Sequence, residues 1–301
     1  MSLTPSAPRG RGARVPGLAP AQTAAGSPGR GRAPRWRRAL PLAALLAVVV
    51  PGLAGCTSNP FTRLGMPVPV TKQGQVTLTL WQGSWIAAWA VGAVVWGLII
   101  WAIIFHRKRG DQPPHQVRYN LPIEMLYTVV PFIMIGVLFY FTARDENFIN
   151  KLPPNPNVVV NVVGYQWSWQ FQYPQYTVPR SVTGHVVING EPWLPGHGTK
   201  DLPLLVIPIN RTVRFNLTST DVIHSFWIVP FEFKRDVIPG HPNHFEVTPT
   251  KTGTFIGRCT ELCGLYHSRM LFIVKIVTSA QFHQWITAQQ LAQSKTAGSA
   301  Q

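Results

Sequence analysis

Residues 166–173 read Gln166-Trp167-Ser168-Trp169-Gln170-Phe171-Gln172-Tyr173. Aromatic and polar side chains alternate through the run, so a strand would carry Trp167, Trp169, Phe171 and Tyr173 on one face. Val213, Phe215 and Leu217 repeat that period of two, as do Phe245 and Val247. These runs are short and punctuated by Gly and Pro, with no helical pattern between them, which predicts an antiparallel sandwich or barrel. About 130 residues between Val158 and Ala288 are enough for one β-domain with its own core. Residues 174–202, rich in Pro and Gly, are expected to form a long loop or hairpin excursion. Residues 279 to about 293 are expected to form a terminal helix capped by Ser279, with a frayed tail beyond.

Upstream of the strands the chemistry changes. Residues 80–105 are apolar and carry no charge, enough for a tilted transmembrane helix. Trp81, Trp85 and Trp89 lie toward one end and Trp96 and Trp101 toward the other, as interfacial aromatics do. His106-Arg107-Lys108-Arg109 stops the run, and a second span follows over about residues 123–143, with Pro131 inside it. The basic loop between the spans, which also holds Arg118, is expected on the cytoplasmic side. Residues 57–79 and everything after 144 then lie outside. Glu124 opens the second span at the cytoplasmic level. An ionisable group there is either functional or a carboxylate favoured by the positive end of its helix.

Residues 1–38 are rich in Arg, Gly, Pro, Ala and Ser, without periodicity. Arg35 to Arg38, the apolar residues 39–50 and the small residues before Cys56 have the order of a secretory signal. The ending Leu53-Ala54-Gly55-Cys56 looks like a bacterial lipobox, in which the Cys is acylated and becomes the new N-terminus. The rival readings are an ordinary signal cut near Gly55 and a retained anchor. A lipobox also requires an outside N-terminus, in agreement with the basic loop.

The formal charge of +16 suggests nucleic acid, but eight Arg and no acid fall within residues 1–55. Four of the remaining basic residues sit in the loop between the spans. That distribution is the mark of membrane orientation, and it excludes a nucleic-acid footprint.

Residues 259–270, C-T-E-L-C-G-L-Y-H-S-R-M, hold the chemistry: Cys259, Glu261, Cys263, His267 and Met270. A second imidazole, His224, lies upstream in D-V-I-H-S-F-W. Thiolate, thioether and imidazole donors together favour copper. A disulfide between Cys259 and Cys263 would leave His224, His267 and Met270 unexplained. A structural zinc would use two Cys and two His but has no need of Met270. A single blue copper takes two His, one Cys and a long axial Met, which leaves one thiolate over. Two thiolates can instead bridge two coppers, each with one imidazole, with Met270 axial on one side and the Glu261 carbonyl on the other.

These motifs, with G-Y-Q-W-S-W-Q-F further up, resemble subunit II of bacterial cytochrome c oxidase over roughly residues 76–290. The resemblance implies a membrane-anchored all-β protein, a two-helix transmembrane hairpin followed by an extracytoplasmic cupredoxin-like Greek-key β-barrel. It implies the dinuclear copper A centre on His224, Cys259, Glu261 by its carbonyl, Cys263, His267 and Met270. The Glu261 side chain would coordinate a Mg or Mn ion shared with subunit I. Trp167 matches the residue that accepts electrons from cytochrome c, although alternation alone places it in the core. Glu124 matches the carboxylate at the mouth of a proton pathway. The implied partners are subunit I, the other oxidase subunits, the lipid bilayer and a cytochrome c.

Two features depart from the family. Pro239-Gly240-His241-Pro242 stands where the family shows Pro-Gly-Arg. From Asp145 onward nine acids face twelve Lys and Arg, so no strongly acidic docking face is expected. The donor can then be a membrane-bound cytochrome held by other contacts. The expected organisation is a removed signal peptide with lipobox (1–55), an outer segment (56–79), the helix hairpin (80–143), the copper domain (144–293) and a polar tail (294–301). The rival from another class is a lipid-anchored copper-binding or copper-delivery protein.

Overall fold

In the computed structural model the described residues are 61–108, 110, 112, 116–181, 183–191 and 202–299. The expected signal peptide, the acylated Cys56 and Arg109 of the basic loop lie outside them.

Among the described residues, two helices lead into the β-domain: α1 (Lys72–Phe105) and α2 (Leu121–Ile149). Both are long and apolar enough to cross a membrane, and their apolar windows are not buried by the rest of the chain. Trp81, Trp85 and Trp89 stack edge to face in succession along α1, at centroid distances of 5.7 and 6.4 Å. The helix starts eight residues before the apolar run expected from residue 80, because the β-domain buries its first turns. Thr71 caps it by accepting a hydrogen bond from the Gly74 N–H (2.9 Å). Lys72 N donates to Thr248 O, Val70 N to Pro230 O and Thr250 N to Val70 O, so the chain entering α1 is sewn to the sandwich. Gly74 lets this happen: a Cβ there would lie 2.7 Å from the Phe231 carbonyl oxygen.

Ten strands follow among the described residues: β1 (Val158–Tyr165), β2 (Ser168–Thr177), β3 (His185–Ile188), β4 (Leu204–Pro208), β5 (Val213–Ser219), β6 (His224–Ile228), β7 (Phe233–Val237), β8 (Asn243–Val247), β9 (Gly253–Cys259) and β10 (Leu271–Val277). They form two five-stranded sheets in the orders β3-β2-β1-β5-β8 and β4-β10-β9-β6-β7. Most pairs are antiparallel as expected, but β1 with β5 and β4 with β10 are parallel. Parallel neighbours need a crossover, and here the intervening chain supplies strands elsewhere in the sandwich before it returns. The excursion at 174–202 contributes β3, which pairs with β2 across a register shift after Tyr173.

The two inner faces meet over aromatic rings. Phe226 and Phe272 stack at 4.8 Å, and Phe215 and Phe245 at 5.0 Å. Trp169, Phe171 and Tyr173 are fully buried on the core face of β2, as their alternation requires. Trp167 is not in that strand. It occupies, with Gln166, the two-residue turn between paired Tyr165 and Ser168, where the period of two breaks. The closing helix α3 (Ser279–Ser299) buries Phe282 and Ile286. Its cap is Thr278 rather than Ser279. Thr278 Oγ1 accepts from Gln281 N (3.2 Å) while Thr278 N donates to Gln281 Oε1 (3.0 Å), a reciprocal box that Ser279 cannot form.

Candidate metal centre

Three strand ends meet at one end of the second sheet. His224 opens β6, Cys259 closes β9, and Met270 immediately precedes β10. Since β9 and β10 are antiparallel neighbours, the loop between them returns to its origin: Cys259 N donates to Met270 O at 3.0 Å. Thr260 N donates to Ser225 O (3.1 Å), tying the same loop to β6. A short 3-10 turn, His267–Arg269, begins with His267 N donating to Gly264 O at 3.1 Å. It brings His267 back over Cys263.

The donor atoms converge. Cys259 Sγ lies 3.8 Å from His224 Nδ1, 3.2 Å from the Glu261 carbonyl oxygen and 3.8 Å from Cys263 Sγ. Cys263 Sγ lies 3.6 Å from His267 Nδ1 and 3.8 Å from Met270 Sδ. Both cysteines are free, so the disulfide reading falls away. Two sulfurs bound to one ion at about 2.3 Å with a tetrahedral angle stand about 3.8 Å apart, which is the separation seen here. His224, both thiols and Met270 are all buried. A soft donor set of two thiols, two imidazoles, a thioether and a carbonyl, with His267 half-buried at its edge, fits copper, and it has more donors than one tetrahedral ion can use.

Electrostatics divide the two thiols. Burial pushes Cys259 up, but hydrogen bonds from His224 and from the backbone of Ser225 and Glu261 outweigh it and bring it down to about 7. Burial pushes Cys263 up to about 12, and the neighbouring Cys259 charge adds to the rise. Metal binding must displace the second proton.

Asp221 is a residue the sequence reading missed. Its Oδ1 lies 2.9 Å from His224 Nε2 and so leaves Nδ1 toward the sulfurs. Burial alone would raise the Asp221 carboxyl. Its bonds to His224 and to the Gln166 and Val222 N–H groups hold it below the usual range instead. The signal available was its place one turn before His224 in D-V-I-H. Gln166 was also missed: its Nε2 donates to Cys263 O at 2.7 Å.

Trp167 lies half-buried against the same loop. Its Nε1 donates to Cys263 O (3.3 Å), and its ring meets Tyr266 edge to face at 5.0 Å. Gly264, at φ +120°, makes room: a Cβ there would stand 3.1 Å from Trp167 Nε1. Trp169 supports the site from within, donating to Met270 O at 3.3 Å with its ring 6.0 Å from the His224 ring. The Glu261 side chain is exposed, and no metal-holding group among the described residues includes it. Glu124 stands apart at the start of α2, where its Oε1 accepts from Asn120 N (2.9 Å).

A family model described as "Cytochrome C oxidase subunit II, periplasmic domain" matches residues 158–277. A probable cytochrome c oxidase subunit 2 of Streptomyces avermitilis is 49% identical over 85% of this chain and 89% of its own. Cytochrome c oxidase subunit 2 of Mycobacterium bovis is 34% identical over 98% of this chain and 91% of its own. Among solved structures, the periplasmic domain of subunit II of cytochrome oxidase of Bradyrhizobium japonicum is 28% identical. It covers 47% of this chain and 99% of its own, at a TM-score of 0.40.

Proposed function

The chain belongs to the cytochrome c oxidase subunit II family, and on that premise we propose that it takes electrons from a cytochrome c at a dinuclear copper A centre and hands them to haem in subunit I. Membership makes it part of a haem–copper oxidase, associated with the other oxidase subunits. In that enzyme, oxygen becomes water as protons are pumped.

The observation that carries the dinuclear reading is the second thiol. With Cys259 and Cys263 3.8 Å apart, each has its own imidazole nitrogen within 3.8 Å, and further donors come from Met270 and the Glu261 carbonyl. Cys259, Cys263, His224, His267, Met270 and the Glu261 carbonyl would hold two coppers, which when bound would supply a site for taking up and passing on one electron at a time. The chain's own residues supply the surroundings. Asp221 fixes the tautomer and direction of His224. The sandwich keeps water from the sulfurs. Trp167, hydrogen-bonded to the Cys263 carbonyl, offers a short path from the surface to a ligand, in line with electron uptake there.

The remaining assignments follow the family. The exposed Glu261 side chain would hold a Mg or Mn ion with subunit I. Glu124 would open a proton pathway. The basic loop, with Arg107, Lys108 and Arg118, would face the cytoplasm, and the copper domain the outside of the cell membrane. An acylated Cys56 would add a lipid anchor once residues 1–55 are removed.

Electron paramagnetic resonance of the copper-loaded protein tests this. Hyperfine structure from two equivalent coppers sharing one unpaired electron is expected, with two coppers per chain. A single-copper spectrum rejects the dinuclear centre and leaves the copper-carrier reading. Met270→Leu should keep both coppers and shift the reduction potential.

A further inference from the structure

One cleft has no part in the copper centre. It opens between α1 and α2 on their β-domain side, has a volume of about 350 Å³, and is lined by Gln75, Val76, Thr79, Arg144, Asp145 and Phe148. That volume falls within the range of small-molecule sites, which starts near ~300 Å³. Each helix presents residues i, i+1 and i+4 to it, one turn from each side. Trp81 and Trp85 follow within two turns along α1, so the cleft sits at the level where aromatic belts mark the membrane surface.

Its charges are dipolar. Arg144 reaches Asp145 Oδ1 with both Nε (2.8 Å) and Nη2 (2.7 Å). The carboxylate side chain is 6% exposed and the guanidinium side chain 53%. A carboxylate so deeply set gains from a further donor, while the open edge of the guanidinium can take an anion. The two charges cancel, so a purely anionic ligand gains little. A group bearing both signs matches both partners. The Asp145 and Gln75 oxygens reward an ammonium that donates hydrogen bonds, which a trimethylated one cannot do. Val76 and Phe148 offer apolar surface to a chain leaving the headgroup.

We propose that this cleft binds the headgroup of an amine-bearing zwitterionic phospholipid, phosphate on Arg144 and primary ammonium on Asp145. The site rests on the membrane reading of the two helices and is independent of the copper assignment. An acidic lipid, a choline lipid or a side chain of another oxidase subunit are the rival occupants.

The test uses the whole oxidase complex, stripped of loosely held lipid in detergent and weighed by native mass spectrometry. It is then offered nanodiscs of phosphatidylethanolamine, phosphatidylcholine or phosphatidylglycerol. One phosphatidylethanolamine per copy of this chain should survive stripping and return only from the first nanodisc. Thr79→Trp, which fills the cleft, and Asp145→Asn should each lower its occupancy about tenfold, a change of about 1.4 kcal/mol. The visible spectrum of the copper centre should not change in Thr79→Trp, which separates failure here from failure of the copper reading. Equal retention in Thr79→Trp overturns the proposal, as does recovery from either other lipid or a complex that holds no lipid at this place.

Discussion

At the scale of single residues, the centre depends on groups that never touch the metal. Asp221 holds His224 Nε2, and its loss frees the imidazole to turn away. Asp221→Ala should weaken copper affinity by about 10–100-fold, as outer-shell partners of metal ligands do. Asp221→Asn, which keeps an acceptor without the charge, should fall between. Competition titration against a chelator of known affinity measures both. A second acid, half-buried, lies away from the copper. Both carboxylate oxygens of Glu232 are buried without a hydrogen-bond partner among the described residues. Burial pushes this acid from its ordinary 4.5 up to about 7, against the pull of Arg63. The folded state therefore binds the proton more tightly than the unfolded chain, so stability falls as pH rises from 4.5 toward 7 and stays reduced above. Thermal midpoints at pH 5 and pH 8 should differ in the native protein, and the gap should narrow in Glu232→Gln. An unchanged gap would locate the pH dependence elsewhere.

At the scale of elements, the start of α2 shows how one side chain can serve two ends. Glu124 accepts the Asn120 N–H, and Asn120 in turn accepts from Ile123 N at 3.4 Å. This is a cap in the general form that ends helices, and it gives Glu124 structural work whatever its part in proton uptake. Glu124→Gln can keep the cap while losing the titrating group, whereas Glu124→Ala loses both. If Glu124 is a proton gate, turnover of the assembled oxidase should drop in both variants, with helix stability reduced only in Glu124→Ala, by about 1 kcal/mol. Full turnover in Glu124→Gln would leave only the cap. The strand–turn–strand at β1 and β2 shows the opposite economy. The alternation of W-S-W-Q-F predicts one continuous strand, but a two-residue turn ends the pairing at Ser168. Trp167 is thereby swung out of the core and onto the copper loop. A period of two cannot distinguish the last residue of a turn from the first residue of a strand.

At the scale of the whole molecule, the cluster of metal donors sits on a domain with a large aromatic core. Phe215, Phe226, Phe245 and Phe272 fill most of the space between the sheets, and Cys259, Cys263 and Met270 border the same cluster as side chains that pack with or without metal. Removing copper should therefore leave the sandwich folded, unlike small zinc domains that need their metal. Circular dichroism of the chelated protein should keep its strand signal, and the thermal midpoint should rise on copper addition as mass action requires. Unfolding on chelation would show that the core is not self-sufficient.

The sequence by itself determined a great deal of this protein. Soft donors at short spacing pointed to copper, since donor chemistry is a property of residue types. Apolar runs and a clustered basic loop gave the hairpin, because twenty apolar residues in a row have few other uses. The alternating aromatics gave the strands. Only the tertiary structure decided what depends on atoms far apart in the chain. It placed His224 against Cys259 across 35 positions, and Asp221 behind His224. It turned Trp167 onto the Cys263 carbonyl and sewed α1 to the sandwich through Val70, Lys72 and Gly74. Periodicity reports which face a residue shares with its near neighbours. Which distant face it meets is settled by strand order and loop closure, and those are fixed only when the two sheets pack.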